Sequence, residues 1–184
     1  LGLKLILLTM VRKSELLEAT WNEFDFENRV WSIPKERMKK SKPHNVYLSD
    51  QSIDILIALK TCAGNSRYLL PSRYDADEPM CRVVFNRVTA AIAKIARDDD
   101  LPLAPFTVHD LRRTVNTHMA RLGIDAQSRS RVLNHVSARN ASITEAVFNS
   151  HNYDLVKRRA LEAWATELVS IVFLPSRSVV SYRT

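Results

Sequence analysis

The segment HDLRRTVNTHMARLG, residues 109–123, is the most informative stretch of this sequence. It predicts one helix from about His109 to Leu122, closed by Gly123, because glycine readily takes the left-handed conformation that follows a helix end. Arg112 lies three residues after His109, so both side chains fall on one face of the helix. Two such groups suit a single phosphate, which offers several acceptor oxygens and binds a bidentate arginine well.

The flanking segments predict a mainly α fold with a small antiparallel β-sheet, an α+β domain. Ser14 is the predicted N-cap of a short helix, and Asp50 is the predicted cap of the helix QSIDILIALK. In that helix Ile53, Leu56 and Ile57 follow the spacing of a buried face. The other predicted helices span residues 1–11, 83–97, 125–133, 143–149 and 153–169, and the predicted strands lie at 21–26, 30–34 and 46–48.

The composition of the 184-residue chain is that of a globular protein with a basic surplus. It contains 27 Lys and Arg against 20 Asp and Glu, a formal charge of +7, which favours a polyanionic partner without fixing the fold. Its 46% apolar and 26% charged residues argue against intrinsic disorder. Cys62 and Cys81 make neither a disulfide framework nor a zinc site on their own, so a reducing cytosolic setting is expected.

The first ten residues, LGLKLILLTM, predict a buried helix rather than a membrane anchor or a signal peptide. A transmembrane helix needs about twenty apolar residues, and here charged residues follow at once without a cleavage site. Because the sequence has no initiator Met and begins inside an apolar stretch, we expect it to be a fragment of a longer protein.

A basic run lies between the second and third predicted strands, in the segment KERMKKSKPHN at residues 35–45. Such a run is compatible with a solvated hairpin tip. Although a solvated tip is the more usual case, a hairpin can also insert a lysine beside DNA phosphates, where each neutralised phosphate releases counterions. The basic residues of the run are Lys35, Arg37, Lys39, Lys40 and Lys42.

Four motifs in a fixed order resemble those of the tyrosine recombinases, the phage-type integrases, and especially those of satellite phages and genomic islands. That family typically shows an arginine in TGxRxSEL, a hairpin lysine, HDLRRT, and LGH or LNH. The resemblance covers roughly residues 3–168 and implies the catalytic-domain fold of the family. Its matching positions here are Arg12 in TMVRKSEL, Lys39 on the hairpin, His109 and Arg112 in HDLRRT, and His135 in VLNHV.

The resemblance implies a reaction in which a tyrosine attacks the scissile phosphate, forming a 3′-phosphotyrosyl link and a free 5′-hydroxyl, without metal or other cofactor. Arg12 and Arg112 would hold the non-bridging oxygens and stabilise the charge of the transition state. Lys39 would be the general acid for the leaving 5′-oxygen. Lys40 and Lys42 are its rivals, because a slip of the hairpin register changes which lysine points inward.

The same resemblance assigns supporting roles to other residues. His109 would assist proton transfer at the nucleophile, and His135 would hydrogen-bond a phosphate oxygen. Glu15 is expected to support Arg12 rather than to perform chemistry. The residues expected to contact DNA are Lys35, Arg37, Lys40, Lys42 and Arg113.

The position of the nucleophile departs from the family pattern. Island-type members resemble SVTAxVYNxYxY…KRRALExW, whereas this chain reads SITEAVFNSHNYDLVKRRALEAW, which places Phe148 in the nucleophile position. Phenylalanine has no hydroxyl and cannot form the ester, so the chain is expected to be inactive as written. Three explanations stay open: an engineered Tyr→Phe change, a naturally decayed integrase, and Tyr153 as the replacement nucleophile.

The resemblance also implies an organisation and a set of partners. Residues 1–169 would be the catalytic domain and residues 170–184 a tail exchanged between protomers, with the amino-terminal DNA-binding domains absent from the fragment. The implied function is integration and excision of a mobile element. The implied partners are double-stranded DNA with attachment sites, a homo-tetramer in the synaptic complex, a host DNA-bending protein and an excision factor. The expected location is the bacterial cytoplasm, on the nucleoid when bound to DNA, with no membrane partner.

Other functions compete with recombination. Residues 109–135 are compatible with a helix-turn-helix around Gly123, and hence with a non-catalytic DNA-binding regulator. A type IB topoisomerase shares the tyrosine chemistry and needs no second site. A metal site of His109, His118 and His135 lacks any supporting HExxH pattern, and His118 falls on the opposite helical face, so no metal is predicted.

Overall fold

The computed structural model describes residues 1–38, 43–134 and 150–173, with side chains from residue 153 onward in the last range. Several sequence-predicted features lie outside the described residues. They are Lys39, Lys40, Lys42, His135, Phe148, the predicted helix at 143–149 and residues 174–184 of the predicted tail.

Helices make up most of the described chain, and a small antiparallel sheet is inserted early, as predicted. The helices are α1 (Gly2–Thr9), α2 (Lys13–Leu17), α3 (Asp50–Ala63), α4 (Val83–Asp98), α5 (Val108–Arg121), α6 (Ala126–Val132) and α7 (Ser150–Phe173). The strands are β1 (Phe24–Asp25), β2 (Val30–Ile33) and β3 (His44–Tyr47), in the order β1-β2-β3. Because α7 is continuous to Phe173, the predicted domain boundary at residue 169 falls within a helix.

The central helix α5 is fixed at both ends by its own sequence. Its start is a capping box, in which the Asp110 amide donates to the Thr107 hydroxyl at 3.3 Å and the Asp110 carboxylate accepts from the Thr107 amide at 2.9 Å. Its end is followed by Gly123, with a φ of 78°. The predicted helix is therefore confirmed, and the capped first turn fixes the backbone position of His109.

Two predicted helix caps are wrong. The cap of α2 is Arg12 rather than Ser14, because the Arg12 amide donates to the carboxylate of Glu15 at 2.7 Å. The cap of α3 is Ser49 rather than Asp50, since the Ser49 hydroxyl accepts from the Ser52 amide. In α3 the earlier residue supplies the acceptor for a first-turn amide, whereas in α2 the Glu15 side chain reaches back to the amide of the residue before the helix.

Two other details of the prediction also change. Ile57 in α3 is 57% exposed, whereas Leu56 is fully buried, so the buried face of this helix is narrower than its spacing suggested. The predicted first strand at 21–26 is a 3₁₀ turn at Trp21–Glu23 followed by the two-residue strand β1.

The core forms where α1 packs against α3, α5 and α7. Leu5 and Ile6 of α1 are fully buried, and the indole Nε1 of Trp164 in α7 donates to the Leu7 carbonyl oxygen at 2.7 Å. Burial of the apolar face of α1 fixes the chain direction just before Arg12. Among the described helices, none combines the length and apolar character needed to cross a membrane.

Candidate active site

Arg12 lies in the sharp turn between α1 and α2. Met10 ends α1 in the left-handed conformation, with a φ of 56°. The guanidinium Nη1 of Arg12 then donates to the Glu15 carboxylate at 2.6 Å. The Glu15 side chain is 6% exposed and that of Arg12 is 41% exposed, so a buried carboxylate holds one side of a guanidinium whose remainder faces solvent. This is the support that the sequence predicted for Arg12.

Arg112 is buried in the middle of the domain. Its Nη2 donates to the carbonyl oxygen of Leu133, just after α6, at 3.2 Å. Burial, together with the positive charge of Arg12, lowers the pKa of Arg112 to about 10, so the side chain remains charged at neutral pH. A single arginine therefore joins α5 to the end of α6 and keeps a positive charge beside Arg12.

His109 and Arg112 of α5 meet Arg12 of the α1–α2 turn in one cleft of about 490 Å³. None of its described lining residues is acidic, and the start of α5 adds the positive end of a helix dipole. The arrangement suits an anion with several acceptor oxygens, such as a phosphate. The lining residues are Arg12, Lys13, Ser14, Arg82, Asn86, Thr107, Val108, His109 and Arg112.

The side of the cleft between α2 and α4 is closed by polar contacts. Lys13 Nζ donates to the Asn86 side-chain oxygen at 3.1 Å. Arg82 Nη2 donates to the Glu18 carboxylate at 2.7 Å, with both side chains substantially exposed. These contacts hold the amino-terminal end of α4 beside Arg12 and add two cations to the rim.

Sequence reasoning missed His44, the first residue of β3. Its side chain is buried, and its pKa is lowered to about 4, first by burial and then by the positive charge of Lys157. Arg12 and Arg112 lower this pKa further, while the Glu15 carboxylate opposes them. The imidazole is thus neutral at pH 7 and lies within the electrostatic field of the arginine pair. The available signal was strand alternation, which places His44 on the same face as the buried Val46.

Three described residues of the predicted DNA-contacting set have different surroundings. Lys35 is exposed, and Arg113 is exposed with its guanidinium 3.7 Å from Asp110. Arg37 instead turns inward, where it pairs with the buried Glu23 carboxylate and donates to the Glu15 backbone oxygen. Arg37 therefore ties the hairpin base to α2, a position that does not fit the predicted contact with DNA.

Tyr153, the predicted fallback nucleophile, is packed against α6. The guanidinium carbon of Arg131 lies 3.1 Å from the centroid of its ring, so one face of the partly buried ring is covered by a cation. The stacked ring anchors the first turn of α7 against α6.

Of the three histidines weighed for a metal site, the structure describes His109 and His118, and these two lie apart on α5. His118 packs against the ring of Trp164, with centroids 5.6 Å apart, on the side of α5 opposite His109. Within residues 1–38, 43–134 and 150–173, no group of three or more His, Cys, Asp or Glu side chains is placed to hold a metal ion.

Comparison with known proteins places this geometry in a family. The chain matches the model of the phage integrase family over residues 1–153. It is 31% identical to prophage integrase IntA of Escherichia coli K12 over 163 residues, which cover 89% of this chain and 37% of that protein. The integrase of Enterobacteria phage P4 is 31% identical over 176 residues, which cover 89% of this chain and 38% of that protein. The chain thus spans less than two fifths of the length of these relatives.

Solved structures share the fold. The Tn1549 transposon integrase in complex with circular intermediate DNA has a TM-score of 0.61 at 16% identity, covering 80% of this chain and 55% of that chain. The XerA recombinase has a TM-score of 0.58 at 18% identity, covering 91% of this chain and 57% of that chain. The predicted helical domain with a small antiparallel sheet is therefore confirmed as a tyrosine recombinase catalytic-domain fold. The family model matches residues 1–153, and 89% of this chain aligns with IntA at 31% identity. This chain therefore belongs to the phage integrase family.

Proposed function

We propose that this chain is the catalytic domain of a site-specific DNA recombinase and that its cleft binds the scissile phosphate. The observation that carries the proposal is the convergence of Arg12, His109 and Arg112, from distant parts of the sequence, in one cleft whose described lining has no acidic residue. A phosphodiester passing through pentacoordinate geometry gains negative charge on its non-bridging oxygens. Two preorganised guanidiniums stabilise that charge more in the transition state than in the ground state.

The proposed step exchanges one phosphoester for another. The tyrosine Oη attacks phosphorus and forms the 3′-phosphotyrosyl bond, while the bond from phosphorus to the 5′-oxygen breaks. The tyrosine proton leaves with the assistance of His109, and Lys39 gives a proton to the departing 5′-oxygen. Because a phosphoester is kept, the free 5′-hydroxyl of another strand can reverse the step and rejoin the DNA. His135 would hydrogen-bond a phosphate oxygen, and Lys40 and Lys42 remain rivals of Lys39.

The chain as written lacks the nucleophile. Phe148 occupies the position where the family pattern has tyrosine, so we propose a protein that binds DNA and positions the phosphate without cutting it. Tyr153 is the weaker candidate nucleophile, since the guanidinium of Arg131 covers one face of its ring.

The proposed DNA surface surrounds the cleft. Lys35 and Arg113 are exposed, Arg113 directly follows Arg112, and Lys40 and Lys42 follow Lys35 in the sequence, so these four residues are expected to contact backbone phosphates. We propose attachment-site DNA and a homo-tetrameric synaptic complex as the working assembly, with a host DNA-bending protein and an excision factor as further partners. The Tn1549 integrase that shares this fold was solved with circular intermediate DNA.

The test restores the nucleophile with Phe148→Tyr and supplies nicked suicide duplexes drawn from DNA that flanks the coding gene. A covalent adduct mapped by mass spectrometry to residue 148 supports the proposal, and the unchanged chain is the matched control. An adduct at Tyr153 would identify Tyr153, rather than residue 148, as the nucleophile. Tight binding without any adduct favours the non-catalytic regulator. That alternative gives no function to the Arg12–Glu15 pair. Relaxation of supercoils without a second site favours the topoisomerase.

A further inference from the structure

Lys157 of α7 makes a largely buried side-chain contact with the sheet. Its Nζ donates to the backbone oxygen of Asn45 in β3 at 2.9 Å and lies 3.3 Å from the Asp154 carboxylate. The Lys157 side chain is only 12% exposed, whereas that of Asp154 is 40% exposed. The ammonium is thus removed from water to contact a strand backbone from a neighbouring helix.

Other side chains of the same two turns of α7 also bind the sheet. The Arg158 guanidinium lies 5.0 Å from the centroid of the Tyr47 ring in β3, and its Nη2 donates to the Asn28 carbonyl oxygen at 3.1 Å. Burial and a hydrogen bond with Asp154 raise the pKa of the Tyr47 phenol. We call the set of Tyr47, Asp154, Lys157 and Arg158 the α7 latch.

The α7 latch lies between two segments with proposed catalytic roles, the hairpin that carries the general acid and the segment that carries the nucleophile position. β3 directly follows the segment with Lys39, Lys40 and Lys42, and its first residue, His44, senses the charges of the arginine pair. The helix that carries Lys157, α7, begins at Ser150, two residues after the nucleophile position. A shift of α7 along β3 would therefore change the relation between general acid and nucleophile.

Stability alone does not account for a buried lysine at this position. Taking an ammonium out of water is costly, and replacing a buried ionic group by an apolar one of similar size is often neutral or stabilising. Asp154 is exposed enough to stay hydrated without its partner. A methionine would fill the same space with an apolar side chain. What the ammonium adds is a directional hydrogen bond to the Asn45 oxygen, which fixes α7 relative to β3.

We propose that Lys157 is a positioning residue, which sets β3 and the adjoining general-acid hairpin relative to the nucleophile segment at the start of α7. This inference rests on the proposed recombinase function. Lys157 touches neither the phosphate nor the reacting atoms and acts through the strand that it holds.

The experiment compares adduct formation by Phe148→Tyr alone with the same chain carrying Lys157→Met or Arg159→Met. Arg159 is an exposed neighbour on α7 and serves as the matched control. Each protein is assayed on ordinary suicide DNA and on DNA whose scissile 5′-oxygen is replaced by sulfur. A thiolate departs without protonation because its conjugate acid is far stronger than an alcohol. Cleavage of the sulfur substrate therefore does not need the general acid.

Lys157→Met is expected to slow cleavage of the oxygen substrate about a hundredfold, the cost of a small misplacement of catalytic groups. It is expected to cleave the sulfur substrate at close to the parent rate. Lys157→Arg retains a donor for the Asn45 oxygen and is expected to restore most of the oxygen rate. Arg159→Met should match the parent on both substrates.

Equal slowing on the oxygen and sulfur substrates would overturn the inference, because a general loss of structure does not distinguish the leaving groups. An unimpaired Lys157→Met would also overturn it. If Phe148→Tyr alone and Arg159→Met form no adduct, the proposed function itself fails, which is a separate result. Circular dichroism of each variant before the assay excludes unfolding as the cause.

Discussion

Replacing Glu15 by glutamine removes the negative charge that holds Arg12 while keeping the shape of the side chain. Both carboxylate oxygens of Glu15 accept hydrogen bonds, one from the Arg12 amide at 2.7 Å and one from its Nη1 at 2.6 Å. The amide of glutamine has one acceptor oxygen, so Glu15→Gln leaves one of these donors without its partner. The variant also leaves two neighbouring guanidiniums, Arg12 and Arg112, without their nearest counter-charge.

The loss follows from the kind of bond that is broken. A hydrogen bond to a charged group contributes about 1.5–3 kcal/mol, so Glu15→Gln should lower the free energy of unfolding by about 2 kcal/mol. For a domain of this size, 1 kcal/mol shifts the unfolding midpoint by about 2–4 °C, which predicts a fall of about 4–8 °C.

Thermal unfolding followed by circular dichroism provides the assay, with Glu18→Gln as the matched control. Glu18 pairs with Arg82 at 2.7 Å, but both side chains are exposed, so its loss should cost about 0–1 kcal/mol. Inorganic phosphate should recover more of the midpoint of Glu15→Gln than of Glu18→Gln, because an anion in the cleft replaces the missing charge. Equal midpoints for the two variants, with or without phosphate, would refute the role assigned to Glu15.

Three further predictions follow from buried polar groups. The pKa of His44 is about 4 when folded against about 6.5 when unfolded, so the unfolded chain binds the proton first. The wild type should therefore lose about 2–3 kcal/mol between pH 7 and pH 4.5 in urea unfolding, a loss that His44→Gln lacks. Trp164→Phe leaves the Leu7 carbonyl without its donor and should cost about 1–3 kcal/mol in the same assay. Arg112→Lys loses the fork geometry that binds the Leu133 carbonyl and that we propose also binds the phosphate, and it should slow adduct formation in the tyrosine-restored chain about 10²–10³-fold.

The sequence predicted those parts of the site that depend on local spacing. His109 and Arg112 share a face because they are three residues apart on one capped helix, and the structure places them together. Their meeting with Arg12 depends on tertiary packing of α1, which spacing does not describe, and was predicted through the motif order of the family.

The features that were missed are those in which a polar side chain is buried by distant parts of the chain. His44 and Lys157 look like ordinary surface residues in the sequence, since their neighbours include many basic residues. The packing of α7 on β3 leaves His44 buried and the Lys157 side chain only 12% exposed. The inward pairing of Arg37 was also not foreseen, because its partner Glu23 lies fourteen residues earlier, before β1.

The bond between the Trp164 indole and the Leu7 carbonyl joins the last described helix to the first. During translation, α1 emerges from the ribosome long before α7 is synthesised, and domains generally fold as units once their sequence is complete. α1 reaches its full set of packing contacts only when α7 is present. The end of α1 in turn sets the position of Arg12. A ribosome-bound chain that stops short of Trp164 therefore lacks a finished cleft around Arg12, His109 and Arg112. For the proposed recombinase, the order of synthesis would keep the cleft unfinished until almost the whole catalytic domain had left the ribosome.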